Sequence, residues 1–254
     1  MLFDLNGRVA LVTGGNGGIG LGIARGLAQA GAVVAIVGRD AAKSNAALAE
    51  LRQSGAVAEA FTADLVDQTA VVAMVRAVAE RFGGIDILVA NAGTNMRRRP
   101  EDYTMEQWDA IVGTNLGSVF ACCQAVYPLM KQRGGGKIIT IGSMTSIFGF
   151  SLGAPYGASK GAVVQLTKSL ACAWAADKIQ ANCILPGFID TALTRQARRD
   201  VGDLEQRVLD RTPAGRWGTP DDVAGAAVFF ASAASDFVTG TALPVDGGYS
   251  SFMA

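Results

Sequence analysis

Residues 9–20 read Val9-Ala10-Leu11-Val12-Thr13-Gly14-Gly15-Asn16-Gly17-Gly18-Ile19-Gly20, followed by the spaced apolar residues Ile23, Leu27 and Ala28 and then by Val33-Val34-Ala35-Ile36-Val37. The order is an apolar run, a glycine loop, a helical period and a second apolar run. Short runs without polar alternation belong to strands buried on both faces, the condition of a parallel sheet covered by helices on either side. Glycines between strand and helix let the backbone turn tightly, and the helix that follows offers unpaired N–H groups and a positive dipole end to a pyrophosphate. The spacing Gly14-x-x-x-Gly18-x-Gly20 is not the G-x-G-x-x-G fingerprint, and the Gly-Lys-Ser/Thr of a P-loop is missing. Its place between strand and helix, more than its letters, points to a dinucleotide.

Outward from this unit the alternation continues. Ala41 to Arg52 is Ala-rich and helical, Ala56 to Thr62 a weaker strand, Gln68 to Phe82 a helix carrying Val71, Val72, Val75 and Val78, and Ile85 to Ala90 a fourth strand. A long helix is expected from Met105 to about Met130 and a strand over Lys137 to Ile141. A helix should then run from about Pro155 to Trp174, before a strand over Gln180 to Leu185 that Pro186-Gly187 ends. Thr219-Pro220 reads as the cap and first position of a helix reaching about Ser232, and Thr241 to Val245 closes the sheet. Asp190 to Arg216 is polar, clusters Arg with Asp and has no strong period, so it reads as a helical lid over about 190–216. The expected fold class is α/β, a Rossmann-type doubly wound parallel sheet with helices on both faces, in one domain over 1–254.

Composition removes several chemistries. The chain has 254 residues and no histidine, so Ser-His-Asp and Cys-His nucleophile pairs, an imidazole base and His-ligated metals are excluded. Its 22 Lys+Arg balance 22 Asp+Glu, which leaves no excess positive field for a nucleic acid. Cys122 and Cys123 are adjacent while Cys172 and Cys183 stand alone, so no metal site is expected and all four read as buried free thiols of a reducing cytosol. No signal-peptide pattern opens the chain and no unbroken apolar run approaches 18 residues, so the expectation is a cytoplasmic protein with a small-molecule substrate and no membrane partner.

The second strand ends in Gly38-Arg39-Asp40. An acid at that strand end would take the adenosine ribose 2′-OH, whereas an Arg accommodates a 2′-phosphate. Glycine stands where the acid would be and Arg39 comes next, so NADP(H) is preferred. NAD(H) stays the alternative, because Asp40 is adjacent and Asn16-Gly17 add no second cation. Without histidine, proton chemistry falls to a carboxylate, a tyrosine or a lysine. Tyr156 and Lys160, four apart, share a helix face, and a neighbouring ammonium favours the phenolate and lowers the tyrosine pKa. Ser143 follows the fifth strand, and ligands of a parallel sheet gather beyond its carboxyl ends, where this serine and the Tyr–Lys helix should meet. Asn115 sits in an otherwise apolar helix, and its amide needs a partner or a water if buried; a polar core role and a functional one are both open.

Taken together these pieces resemble the short-chain dehydrogenase/reductase family over essentially the whole chain. The matching residues are Thr13-Gly14-x-x-x-Gly18-Ile19-Gly20, Asp64-Leu65, Asn91-Ala92-Gly93, Asn115, Ser143, Tyr156-x-x-x-Lys160, Pro186-Gly187 and Val245-Asp246-Gly247-Gly248. Ala90 departs from the family, which usually carries a second Asn there. The resemblance implies a sheet of seven parallel strands and hydride transfer between C4 of a nicotinamide and a carbonyl or alcohol carbon. It makes Tyr156 the general acid/base, Lys160 its tuner and a ligand of the nicotinamide ribose, Ser143 the holder of the substrate oxygen, and Asn115 the holder of a relay water leading to Lys160. It assigns the cofactor to Gly14, Asn16, Gly18, Ile19, Gly20, Arg39, Asp64, Leu65, Asn91, Gly93, Pro186, Gly187, Ile189 and Thr191, with Asp64 on the adenine and Ile189 and Thr191 at the carboxamide end.

Two stretches, Arg97-Arg98-Arg99-Pro100 through Trp108-Asp109 and Asp210 through Gly218, look most like the gluconate 5-dehydrogenase and 2-deoxy-D-gluconate 3-dehydrogenase groups. A sugar acid would give Arg97 or Arg98 a carboxylate to pair with. Met144, Ile147, Phe148, Phe150 and Leu152 after Ser143, together with Phe188, instead suggest an apolar lining. Candidate substrate contacts are therefore Ser143, Met144, Phe150, Tyr156, Phe188 and Arg97. The substrate alternatives are a sugar acid, a 3-oxoacyl-carrier-protein or a general ketone or secondary alcohol; a non-catalytic dinucleotide sensor is the remote one. The resemblance also implies a homotetramer built on the two long helices and the last strand.

Overall fold

In a computed structural model that describes residues 2–253, the chain runs β1 (Val9–Thr13), α1 (Gly18–Gln29), β2 (Val33–Gly38), α2 (Ala41–Gln53), β3 (Ala58–Thr62), α3 (Gln68–Phe82), β4 (Ile87–Ala90), α4 (Met105–Val112) and α5 (Ser118–Gln132). It continues through β5 (Gly136–Ile141), α6 (Ala154–Trp174), β6 (Ile179–Pro186), α7 (Ala192–Asp200), α8 (Leu204–Arg211), α9 (Pro220–Ala231) and β7 (Ala242–Val245). The strands lie side by side in the order β3-β2-β1-β4-β5-β6-β7. Every adjacent pair is parallel, with Leu11 opposite Ala35 on one side and Leu88 on the other.

The apolar runs are explained by two cores. Leu11, Leu88, Ile138 and Cys183 face α3, α5 and α6, while their neighbours Val12, Val89, Ile139 and Ile184 face α1 and α9. With both faces dry, alternate positions have no reason to be polar. Strand order reverses between β1 and β4, and a crevice opens there beyond the carboxyl ends.

Three details differ from the sequence reading. The long helix is α4 and α5 joined by a π-helical turn over Gly113–Gly117, with Asn115 at its centre. From Met105 to Gln132 it is, among the described residues, the helix long and apolar enough by length and mean hydropathy (1.3) to cross a membrane. No unbroken apolar run of that length lies within it, and its inner face of Val119, Cys122, Val126 and Met130 is buried in the core. Lastly, Cys172 is exposed while the other three free cysteines are buried. It falls on the outward face of α6 with Gln165 and Lys168.

A candidate active-site cleft at the carboxyl edge of the sheet

A cleft of about 400 Å³ opens over β1, β4, β5 and β6. Its cofactor-side wall is the loop after β1. Gly14 has φ +61°, and a Cβ there would lie 2.8 Å from Asn91 Nδ2 and 3.1 Å from Ala92 Cα. At Gly20 a Cβ would stand 2.2 Å from the Gly14 carbonyl oxygen, so the helix admits the loop only because both positions are glycine. Asn91 Nδ2 donates to the carbonyls of Thr13 (3.0 Å) and Gly14 (3.2 Å). Thr13 Oγ1 in turn accepts from the N–H groups of Asn91 and Ala92 at 3.0 and 3.1 Å. Thr13, unremarked in the sequence beyond its place in the motif, thus ties the two loops together. The helix α1 starts at Gly18, capped by Gly17 with no side-chain hydrogen bond, leaving its first N–H groups for a ligand. Gly14, Asn16, Gly18, Ile19, Asn91, Gly93, Pro186, Gly187, Ile189 and Thr191 all line the cleft. This cradle fits a dinucleotide pyrophosphate.

Four expected cofactor contacts, Gly20, Arg39, Asp64 and Leu65, are not among the lining residues; Gly20 instead packs on the Gly14 carbonyl. Arg39 and Asp64 follow β2 and β3 at the same edge of the sheet and are exposed; Asp64 accepts from its own Val66 N–H at 3.2 Å. A second cation does reach the glycine loop, contrary to the sequence reading, because α2 brings Lys43 over Gly17 and into the cleft wall. The Asp40 carboxylate caps α2 by accepting from Lys43 N–H at 3.0 Å.

Ser143, Tyr156 and Lys160 converge as the topology requires. Ser143 lies two residues past the end of β5, and Tyr156 opens α6 behind Pro155 at a first-turn position, which proline favours. Ser143 Oγ accepts from Thr145 N–H at 3.1 Å, and Ser146 Oγ donates to the Lys160 carbonyl at 2.8 Å, fastening the loop to α6. The buried Lys160 donates from Nζ to the Ile141 carbonyl at 2.7 Å and lies 5.9 Å from the centre of the Tyr156 ring. Burial brings its ammonium down from 10.5 to about 8.

The expectation that Lys160 lowers the Tyr156 pKa is corrected here. Burial of the phenol raises it, against the opposing pull of the Ser143 hydroxyl and the Arg97 guanidinium. The cost of putting a phenolate in that pocket exceeds what these neighbours return.

Asn115, fully buried, has its amide committed. Oδ1 accepts from Thr94 N–H at 2.7 Å, and Nδ2 donates to the Thr94 carbonyl (2.9 Å) and to Ser159 Oγ (3.2 Å). Both donors are spent, and one Oδ1 lone pair remains. The geometry makes Asn115 a pin between the loop after β4 and α6, formed at the π turn, and the remaining Oδ1 lone pair leaves an acceptor for the expected relay water. A Cβ on Gly93 would lie 3.2 Å from Asn115 Oδ1 and 3.5 Å from Lys160 Nζ, so these three meet at one point.

The far wall belongs to the lid. Residues 190–216 form α7 and α8, and Leu193, Thr194, Ala197 and Leu204 face the cleft. Thr194 and Thr191 share the turn that starts α7, with Thr191 N–H donating to Thr194 Oγ1 at 2.8 Å. Arg97 reaches across from the loop after β4, its side chain 14% exposed, to Asp200 and to the Leu193 carbonyl, both at 3.4 Å. Met144, Phe150 and Phe188 line the cleft as expected. Ile147, Phe148 and Leu152 do not: Ile147 is exposed, and Phe148 packs against Tyr249 and under the Arg211 guanidinium. The lining is therefore more polar than its letters suggest. Asn95 and Thr145, missed in the sequence, both line it, and Asn95 Oδ1 and Thr145 Oγ1 are buried without a hydrogen-bond partner.

A family model described as enoyl-(acyl carrier protein) reductase matches residues 14–250. The gluconate 5-dehydrogenase of Gluconobacter oxydans (strain 621H) is 42% identical over 97% of this chain and 96% of its own. The 2-dehydro-3-deoxy-D-gluconate 5-dehydrogenase of Bacillus subtilis (strain 168) is 46% identical over 97% and 96%. Among solved structures, a gluconate 5-dehydrogenase from Burkholderia cenocepacia J2315 in complex with NADP and tartrate superposes with a TM-score of 0.94 at 44% identity, over 99% of this chain and 98% of that one. With the Rossmann-type sheet, the glycine cradle and the Ser–Tyr–Lys cluster already in place, these likenesses over nearly the full length mean that the chain belongs to the short-chain dehydrogenase/reductase family of oxidoreductases.

Proposed function

We propose that the chain interconverts a ketone and a secondary alcohol on a sugar acid, with NADP(H) as the preferred dinucleotide. One observation carries the substrate class: Arg97, little exposed, shares a cleft with two buried oxygens that lack partners, Asn95 Oδ1 and Thr145 Oγ1. A buried unpartnered polar atom costs about 1–3 kcal/mol, which a hydroxylated substrate recovers and a plain ketone does not. A carboxylate satisfies the guanidinium in the same way. The names of the relatives point in this direction, and one related structure holds the hydroxy acid tartrate.

The preference for NADP(H) over NAD(H) rests on the end of β2. A Cβ at Gly38 would lie 2.1 Å from Asn16 Nδ2, so an acid placed there to take a ribose 2′-OH would first have to push the Asn16 side chain out of the glycine loop. Asp40 is committed to the cap of α2, and Arg39 and Lys43 leave two cations for a 2′-phosphate.

When bound, the nicotinamide supplies or accepts a hydride at its C4. Ser143 Oγ holds the substrate oxygen, and the Tyr156 hydroxyl, kept protonated by its burial, delivers the proton to that oxygen during reduction. In the oxidative direction Tyr156 must first lose its proton, so that direction gains as pH rises. Lys160 places its ammonium 5.9 Å from the Tyr156 ring centre, where it would hold the ribose hydroxyls of a bound nucleotide, and Asn115 keeps Gly93 and α6 in register with it. The lid over 190–216 closes the substrate side. The assembly we assign is a cytoplasmic homotetramer, for which the exposed Phe120 on α5 and the edge strand β7 with its exposed Leu243 are candidate contacts.

The test is NADPH oxidation with 5-keto-D-gluconate, with L-sorbose (the same carbon chain carrying CH2OH in place of the carboxylate) and with cyclohexanone. The acid should give the highest kcat/KM. Faster turnover of cyclohexanone would assign the site to apolar ketones, which Met144, Phe150 and Phe188 would suit.

A further inference from the structure

Among the described residues Arg97 is the one guanidinium in the cleft wall, and the carboxylate facing it comes from the lid itself. Three features make that pair weak. It is a single contact at 3.4 Å, whereas Arg–carboxylate pairs settle near 2.7–2.9 Å and are commonly bidentate. Asp200 is the last residue of α7, where the negative end of the helix dipole opposes a carboxylate. Its other oxygen accepts from Gln196 Nε2, one turn back, at 2.6 Å, so only Oδ2 faces Arg97. The lid has a contrasting carboxylate in Asp190, which two arginines of α7, Arg195 and Arg198, hold from both sides.

Arg97 is too enclosed to stay unpaired, yet its counter-ion is poorly placed and 38% exposed on its own helix. We propose that Asp200 is a stand-in for the substrate's carboxylate. It keeps the Arg97 guanidinium paired and aimed while the cleft holds no acid, then yields to an incoming carboxylate that can meet the guanidinium with both oxygens. Displacement frees the C-terminal end of α7, and it makes Asp200 a specificity-determining residue. An acid gains Arg97 at the expense of a weak pair, whereas a neutral sugar finds Arg97 already taken. The inference rests on the sugar-acid reading above.

The experiment compares wild type, Asp200→Asn and Asp200→Glu in NADPH-dependent reduction of 5-keto-D-gluconate and L-sorbose, with the inhibition constant of L-sorbose used if it is not turned over. Removing the competitor should lower the KM for the acid about two- to fivefold, leave the constant for L-sorbose unchanged and leave kcat within about twofold. Asp200→Glu keeps the competing charge and should keep the wild-type ratio of acid to neutral. If Asp200 only braces the lid, Asp200→Asn raises both constants together, and the stand-in role is refuted. An unchanged acid-to-neutral ratio in a folded Asp200→Asn variant, checked by its thermal melt, refutes it too while leaving the sugar-acid reading intact. A wild-type enzyme that turns over no sugar acid removes that reading, and this inference with it.

Discussion

The two walls of the cleft are built by different means. The cofactor wall is fixed at the backbone: glycines admit no Cβ, and the Thr13 and Asn91 side chains clasp main-chain groups of two loops through four hydrogen bonds of 3.0–3.2 Å. The lid wall is fixed by side chains. Asp190 holds Arg195 and Arg198, Arg198 stacks 4.2 Å from the Trp217 ring, Arg97 reaches Asp200 at 3.4 Å, and Arg216 grips Asp222. Backbone constraints give one geometry, as a ligand of constant shape requires, whereas exposed ion pairs cost little to exchange. The wall that meets a constant group is rigid, and the wall that meets a variable one is replaceable residue by residue.

Between the walls stands Tyr156, where the comparison can be broken most severely. Tyr156→Phe removes the proton donor and leaves both walls in place. It should lower kcat about 10²- to 10⁴-fold while the Kd for NADPH, read by fluorescence titration, stays within about twofold. A Phe variant with near-wild-type turnover would mean that the proton comes from elsewhere. Loss of NADPH binding would mean that the phenol belongs to the cofactor wall after all.

The rigid wall is tested next. In Gly20→Ala the new methyl meets the Gly14 carbonyl at 2.2 Å, and helix and loop must part. Overpacking of this kind costs about 1–3 kcal/mol, a fall of about 2–10 °C in Tm, and we expect the Kd for NADPH to rise about tenfold because the displaced loop is the phosphate cradle. A variant with wild-type Kd would show that the loop gives way cheaply and that the contrast between the walls is overstated.

These walls differ equally in how far they could be read beforehand. The strands announce themselves because burial on both faces removes polar alternation. Ser143, Tyr156 and Lys160 are legible because a parallel sheet gathers its ligands at one edge. Glycine positions are legible for the same reason: a strand-to-helix turn leaves them little choice. The opposite wall is not, since Asn95 sits in a loop, Thr145 in a short 3-10 turn and Asp200 at a helix end, where side-chain direction follows from tertiary packing and not from a period. Apolar letters mislead there: Phe148 serves Tyr249 and Arg211 rather than the cleft. The Tyr156 pKa went the other way because spacing reports the neighbour, four residues on, but not the depth of the pocket. The π turn at Asn115 has no letter signature beyond an asparagine out of place in a helix.

The smallest effect is expected where the lid meets α9. Arg216 donates to both oxygens of Asp222 at 2.7 and 2.8 Å, and Asp222 also accepts from the N–H of Thr219, the residue that caps α9, at 2.6 Å. Asp210 to Gly218 drew attention in the sequence as a pointer to substrate, yet this arginine is 57% exposed and engaged in fastening a helix start. The bond from Arg216, then that from Thr219, holds the Asp222 carboxyl well below the usual carboxylate range. A depressed carboxylate stabilises the fold above its unfolded value near 4, and the contribution is lost as pH falls below that. Because the pair is largely solvated, Arg216→Ala should lower Tm at pH 7 by no more than about 2 °C. The gap from wild type should narrow as pH falls below about 4 and close only in strong acid, where the depressed Asp222 carboxylate finally gains its proton. KM and kcat should not move. A change in KM for the acid would place this end of the lid in substrate recognition, and a loss as large as that of Gly20→Ala would make the lid as much a part of the frame as the glycine loop.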